Sequence, residues 1–231
     1  GGFFRPIKLI VEKGSILDCA LPAASGGRGV TLFRQADTVF GALAKAVPDR
    51  VFAACEGGTT VYSFGAHDKQ GRSIVLVEIF GGSWGGRPDR DGIEGISHPL
   101  LNQRNIPVEY MEVEYPLRIV KYGFLSNTGG AGRFRGGLSL VRDIRYLGAT
   151  PAQLQIRSDR AKTMPYGLAG GEPGTRSHNI LNPGTKNERH LASMVTTFIE
   201  PGEVIRFQLP GGGGWGPPSE RDYAAIANDV A

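Results

Sequence analysis

The chain has 231 residues, 35 of them Gly and 15 Pro, with 40% hydrophobic and 21% charged side chains and a formal net charge of +4. That composition is ordinary for a globular protein apart from its glycine, and with no tandem period it argues for many turns between short strands rather than collagen or disorder. The basic excess is mild and scattered, which gives no stripe for nucleic acid; no apolar run approaches the roughly 18 residues of a membrane span and no signal peptide precedes the first folded-looking segment, so the expected location is the cytoplasm.

In chain order, Phe3 to Val11 reads as a strand region, placed at a sheet edge by Pro6. Leu32, Phe33, Ala36, Val39, Phe40, Leu43 and Val47 recur at helical spacing, and Pro48 ends the run. Ser73 to Phe80, "SIVLVEIF", is nearly continuous in apolar residues and reads as a central strand buried on both faces. Val108 to Tyr115, "VEYMEVEY", reads as a half-exposed strand with Glu112 and Glu114 on one face and Glu109 on the other. Leu138 to Tyr146, Gln153 to Arg157 and the alternating Ile205, Phe207 and Leu209 read as further strands. Leu168 to Arg189 reads as an extended excursion with two hairpin tips. Ser219 is placed to cap a last helix carrying Tyr223, Ile226 and Val230. The sum is an α+β fold, predominantly β, with many short strands, a helix near each end and glycine-rich turns. Cys19 and Cys55 share no C-x-x-C arrangement and are expected to be buried, reduced thiols.

Four stretches imitate functional motifs. "LPGGGGWGPPSER" (Leu209–Arg221) fits G-x-G-x-x-G through Gly211, Gly213 and Gly216, but Pro217 and Pro218 separate the glycines from the helix, and no second strand with its acid follows. A close-packed backbone turn is the better reading. Gly81-Gly82-Ser83-Trp84-Gly85 fits G-x-S-x-G, yet Gly85, Gly86 and Pro88 are poor material for the helix a nucleophile elbow requires. "GGAGRFRGG" (Gly129–Gly137) occurs once, between expected strands, and reads as a tight loop presenting Arg133 and Arg135, which beside free backbone amides would suit a carboxylate or phosphate. Asp89, Asp91, Glu94 and His98 match no zinc or calcium spacing and read as a polar turn.

Taken together and in order, "FFRPIKLIVEKGS", "GGSWGGRPDRDGIEG", "NIPVEYMEVEYPLRI", "NTGGAGRFRGGLSLVRDIRYL" and "LPGGGGWGPPSERD" resemble the C-terminal half of hydantoinase B-type subunits. That family includes ATP-dependent N-methylhydantoinases, 5-oxoprolinases, caprolactamase, and acetone and acetophenone carboxylases. The resemblance covers Phe3 to about Val230, so residues 1–231 are expected to form one C-terminal domain of a larger subunit or complex. It implies that ATP and Mg belong to a partner A-type ATPase subunit, which phosphorylates a lactam or ketone oxygen. The activated intermediate then meets water, or an enolate meets carbon dioxide, at a site involving the B-type subunit. A zinc or manganese ion, where used, would sit in the N-terminal half, whose Asn-Asp-Pro and His-rich segments have no match here. No cofactor or metal site is expected in this chain, and its implied partners are that N-terminal half, the A-type subunit and a small cyclic amide or ketone, in a hetero-oligomer without nucleic acid or membrane.

Asp91, Asn102, Asn105, Glu109, Arg133 and Arg135 match motif positions and are the residues expected to shape the site or the partner contact; the acid, base and nucleophile stay unassigned. Ser83 departs from the pattern, where glycine is usual. The resemblance leaves open hydrolase against carboxylase, and a catalytic part against a purely scaffolding one. Purified alone, the chain is expected to show no ATPase, amidase or carboxylase turnover; measurable turnover by the lone polypeptide in a coupled ATPase assay would contradict this division of labour.

Overall fold

The structure, a computed structural model, describes residues 5–68 and 70–230. An extended, largely exposed segment leads into helix α1 (Arg28–Leu43). Strands β1 (Thr60–His67) and β2 (Ser73–Phe80) form a hairpin, followed by helix α2 (Val108–Glu114). Strands β3 (Leu117–Leu125), β4 (Ser139–Tyr146), β5 (Ala152–Arg157), β6 (His178–Leu181), β7 (Arg189–Leu191), β8 (Met194–Ile199) and β9 (Val204–Gln208) precede helix α3 (Tyr223–Val230). The strands form two antiparallel sheets, ordered β2-β1-β5-β8 and β3-β4-β9-β6-β7. No helix among the described residues is long and apolar enough to cross a membrane.

The sheets pack as a sandwich because the facing sides of both carry a largely apolar set of side chains. Tyr62, Phe64, Phe80, Leu154 and Ile156 from one sheet and Leu140, Ile144, Tyr146, Ile205 and Phe207 from the other form one core cluster. Tyr62 stacks on Phe207 across the sandwich with ring centroids 4.8 Å apart. An ion pair lies inside this core: the Arg142 guanidinium donates from Nη1 to Glu78 Oε2 at 2.6 Å, with both side chains essentially inaccessible. The Tyr62 hydroxyl donates to the same Glu78 oxygen, and the Arg142 guanidinium lies 4.3 Å from the Tyr122 ring centre. Burial first, and then the neighbouring Glu78 carboxylate, push the Tyr62 phenol well above its ordinary pKa. A buried pair of this kind registers the two sheets against each other, since a one-residue slip of either strand would turn its own charge out of the core and leave the other unpaired inside.

Several expectations change. The strand β2 lies at a sheet edge and alternates exposed and buried residues, with Val75 and Val77 outward. Val108 to Tyr115 is mainly the helix α2, because Val108, Met111 and Tyr115 also fit helical spacing and Met111 fills the sandwich edge. Glu109, Glu112 and Glu114 are all exposed on it. Residues 5–11 form no strand, while Phe3 and Phe4 lie outside the described residues. The strands β1, β3 and β8 escaped the sequence reading, and the 168–189 stretch folds back to contribute β6 and β7. Asp222, not Ser219, caps α3, its Oδ1 accepting from Ala224 N at 2.9 Å and Ala225 N at 3.2 Å. Cys55 is buried but Cys19 is exposed; both are free thiols.

Beside the sandwich lies a layer built from backbone. Residues 211–214 are buried, and the N–H groups of residues 212–214 donate to three neighbouring segments. Gly213 N donates to Ala54 O at 2.9 Å, Gly212 N to Gly137 O at 2.9 Å and Gly214 N to Glu172 O at 2.8 Å. A Cβ on Gly211 would strike the Thr128 carbonyl, on Gly212 that of Trp84, on Gly213 that of Tyr166, and on Gly214 that of Ala131. The fourth glycine thus returns to the segment the first one met, a repeat of three residues per turn as in a polyproline-II helix. Four consecutive glycines are required because every direction around this helix is occupied by another backbone. Gly212→Ala is therefore expected to destabilise the chain by about 3 kcal/mol, whereas Gly65→Ala, in β1 with open space where its Cβ would sit, should stabilise it by about 0.5–1 kcal/mol; paired thermal unfolding curves check both signs.

Candidate functional site

Two surface depressions and one buried cluster gather the polar side chains outside the core. The larger depression, a groove of about 510 Å³, runs between residues 89–91, the Arg133–Phe134 loop and the start of α3. Arg221 grips Asp91 with both terminal nitrogens, at 2.8 Å and 2.9 Å, and reaches Asp229 Oδ2 at 2.7 Å. Arg135 donates from Nε to Asp229 Oδ1 at 2.8 Å and pairs with Glu94, while its backbone N–H donates to Asp91 Oδ1 at 2.8 Å. The loop amides are also engaged: Phe134 N donates to Trp215 O at 2.9 Å and Arg133 N to Gly216 O at 3.1 Å. This set of ion pairs fastens α3 to the body of the chain. Arg133 differs. Its side chain is half exposed, its guanidinium lies 5.3 Å from the Phe134 ring centre, and its contact with Glu220 is long at 3.9 Å. Among the described residues it is the groove's available cation.

The smaller cleft, about 230 Å³, is lined by Gly81, residues 95–97 and residues 103–105. Asn105 lies here, its Nδ2 donating to the Tyr122 hydroxyl. Asn102 and Glu109 are exposed and line neither depression. The six residues chosen from sequence thus divide: Asp91 and Arg133 line the groove, Arg135 is bonded behind it to Glu94 and Asp229, Asn105 lines the cleft, and Asn102 and Glu109 stand outside both. Asp89, Asp91, Glu94 and His98 do not converge; the first three bind Arg90, Arg221 and Arg135 respectively, and His98 is buried elsewhere. Ser83 is buried and its hydroxyl is spent on the Leu138 carbonyl.

No spacing in the sequence brings the members of the buried cluster together. Beneath α1, Asp37 accepts from Arg160 Nη2 at 2.6 Å, and Arg160 also donates to the carbonyls of Glu56 at 3.2 Å and Met164 at 3.0 Å. Arg160 adopts φ +62°, a left-handed conformation, and Gly57 adopts φ +76° where a Cβ would collide with Asp37 and both Arg34 and Arg160. Arg34 pairs with Asp159, and the Tyr166 hydroxyl donates to the Asp37 carbonyl. Burial and then the Asp37 charge push the Tyr166 phenol up to about 12. His98 stands 3.9 Å from Asp37 with both side chains inaccessible. Burial pushes the Glu56 carboxyl well above its ordinary pKa. The one weak signal for these groups was an aspartate on the buried stripe of α1, one residue from Ala36.

The α3 fastening carries a pH signature. Burial alone would raise the Asp229 carboxyl, but hydrogen bonds from Arg135 and Arg221 together outweigh it and leave it below its ordinary value. A depressed carboxylate stabilises the folded state above its unfolded pKa of about 4 and loses that contribution as pH falls through the folded value. Protection factors across 223–230 are therefore expected to exceed one at neutral pH and to fall to one below the carboxylate range, and Arg221→Ala should remove that protection at neutral pH with the sandwich amides still protected.

Comparison with known proteins covers the whole of this architecture. The Hydantoinase B/oxoprolinase family matches residues 1–218. A putative D-/L-hydantoinase B-type subunit from Pseudomonas sp. strain NS671 is 30% identical over 99% of the chain, which spans 38% of that relative's length. The ATP-dependent caprolactamase from Pseudomonas jessenii superposes on all of the chain with a TM-score of 0.84 at 23% identity, over 42% of its own length. An acetone carboxylase structure superposes on 86% with a TM-score of 0.66 at 15% identity. At those identities the two structures speak for the fold alone, and the chain spans about two fifths of the length of the hydantoinase relative and of the caprolactamase. The family match, covering nearly all of the sequence that forms the sandwich, the glycine layer and the groove, places this chain in the hydantoinase B/oxoprolinase family.

Proposed function

We propose that the chain works as part of an ATP-dependent, multi-subunit enzyme and helps to shape the site at which a phosphorylated lactam or enol intermediate is hydrolysed or carboxylated. The family match over residues 1–218 carries this reading. Its support from relatives is that a caprolactamase and an acetone carboxylase, both described as ATP-dependent, share the fold. Within the chain, the 211–214 glycines spend their peptide groups on other backbone, which supports ATP and Mg binding on an A-type partner rather than here. Phosphorylation is what such chemistry needs, because an amide or enolate oxygen leaves poorly until it is esterified. Among the described residues no three His, Cys, Asp or Glu side chains converge as metal ligands; they do not fit a zinc or manganese ion, and no step of this reading runs through one. In this reading such an ion belongs to the N-terminal half of the subunit.

The residue proposed to meet the intermediate is Arg133. Among the described residues it is the one groove guanidinium without a close carboxylate, and it is exposed beside an aromatic ring, so a phosphoryl or carboxylate group can approach it. Asp91, Arg135 and Arg221 are assigned to position that loop and α3. Asn105 is proposed to shape the smaller cleft, and the exposed Asn102 and Glu109, the second of them on α2, to meet a partner chain.

The second reading is a scaffold that holds the complex together while partner chains do the chemistry. The engaged state of Arg135 and the exposed Ile7, Leu9, Ile10, Ile16 and Leu21 before α1 favour it. Arg133→Ala in the assembled complex separates the two. Loss of one charge-assisted contact predicts a fall in turnover of about ten- to a hundred-fold with assembly intact; normal turnover per assembled complex would leave the scaffold reading standing.

A further inference from the structure

The seat of α3 has the form of an anion site that already holds an anion. The Asp229 carboxylate accepts from two different arginines: from Arg135 Nε at 2.8 Å, Arg221 Nη2 at 2.7 Å and Arg221 Nε at 3.1 Å. Both arginines are fixed independently of it. Arg221 is bonded to both Asp91 oxygens and to the Arg133 carbonyl, and its side chain is only 10% exposed. Arg135 pairs with Glu94, and its backbone N–H donates to Asp91. Withdrawing Asp229 would therefore leave three N–H groups aimed at one point. Two guanidinia converging on one carboxylate is also the geometry that holds the carboxylate or phosphoryl group of a ligand.

The helix that supplies this carboxylate is suited to leave. None of the described residues of α3 is buried, and Tyr223 and Val230 are 88% and 80% exposed. Among the described residues, Asp229 makes the only side-chain hydrogen bonds and ion pairs between the helix proper and the body. Arg221 anchors the chain just before the helix, so a swing about residues 221–222 would withdraw Asp229 and keep the two arginines in place. The seat would then open onto the groove that Arg221 and Ala225 already line together with Arg133 and Phe134.

We propose that Asp229 is a built-in stand-in for an oxyanion, and that α3 gates a second anion position, made by Arg135 and Arg221, beside the Arg133 groove. A small carboxylate or phosphate monoester enters by taking the place of Asp229, so one anion succeeds another at the guanidinia. The exposed Arg133 meets the incoming anion at the rim, and the Phe134 ring lies against the rest of the ligand. Because the internal carboxylate competes, the seated helix weakens external binding by the fraction of time that it is lifted. The inference deepens the enzymatic reading as regulation of the same groove and rests on it for the kind of anion; its test measures binding and exchange, and no turnover.

Inorganic phosphate and acetate serve as probes of the full chain at pH 7, with chloride holding the ionic strength constant. Asp229→Ala removes the internal anion from a helix outside the core. It is expected to bind phosphate or acetate about ten- to a hundred-fold more tightly than wild type by calorimetric titration. Adding Arg135→Ala should abolish that gain. In wild type, the tighter-binding probe, at four times the dissociation constant of Asp229→Ala, should lower protection factors across 223–230 about five-fold. The eight-residue helix does not persist off its seat, whereas the sandwich amides should be unchanged. A gain with either probe supports the seat, and the tighter one names its ligand. Equal affinities in wild type and Asp229→Ala for both probes overturn the proposal, as does a gain that survives Arg135→Ala or an α3 exchange rate indifferent to both anions. Should Asp229→Ala fail to fold, the wild-type exchange comparison with chloride decides alone. Normal turnover of Arg133→Ala in the complex alongside this gain would sink the enzymatic reading and keep the gate; lost turnover without the gain would do the reverse.

Discussion

Backbone pressed against backbone is the constraint on which this molecule depends. Around residues 211–214 the chain brings segments near 54, 85, 130, 137, 168 and 172 to within hydrogen-bond distance of a single extended strand of glycine. No side chain fits between them. The consequence reaches outward: the 130–137 loop can present Arg133 and Phe134 because its amides are fixed on Trp215 and Gly216, and the groove exists because the turn that follows the glycines carries Arg221 back to Asp91. A layer of this kind is rigid for a simple reason. Its peptide groups are mutually satisfied, and it lacks side-chain rotamers that could relax.

Charge performs a second kind of positioning. Inside the sandwich, Arg142 and Glu78 sit where apolar side chains would pack as well, and their value lies in pairing one sheet with the other in a single register. Around α3, two arginines share Asp229 and so tie a short, mostly exposed helix to a loop more than eighty residues distant in sequence. Under α1 the same device adds to the packing of Phe33 against His98 and of Phe40 against Phe52. Ion pairs thus help to fasten both α1 and α3, whereas the sandwich between them rests on apolar burial. Elements held in the first way respond to pH, salt and ligands at energies well below those needed to disturb the core.

Two motif arginines of the 129–137 loop lie at and just behind the groove. Of the motif arginines, one has become part of the framework and one faces outward, a distinction that residue type and spacing do not contain. Exposure and prior engagement separate a residue able to bind something from one that holds the binder in place.

Much was legible in the order of the residues. Leu138–Tyr146, Gln153–Arg157 and the alternating Ile205, Phe207 and Leu209 read as strands and are strands, and the two proline residues after Gly216 favoured a close-packed turn, which the structure shows as backbone against backbone. What misled was local ambiguity. "VEYMEVEY" satisfies periods of two and of three to four alike, and its helix is decided by Met111 entering the sandwich edge. "SIVLVEIF" looks central, yet its outward valines lie on an edge strand whose face nothing among the described residues covers. Composition and order thus established the fold class, the turn-dense glycine architecture and the family. The pairing of Asp37 with Arg160 and its approach to His98, the engagement of Arg135, the exposure of Arg133 and the three-per-turn packing of the glycines came only with tertiary structure. Each is a contact between residues far apart in sequence, and such a contact leaves no period or spacing to be read along the chain.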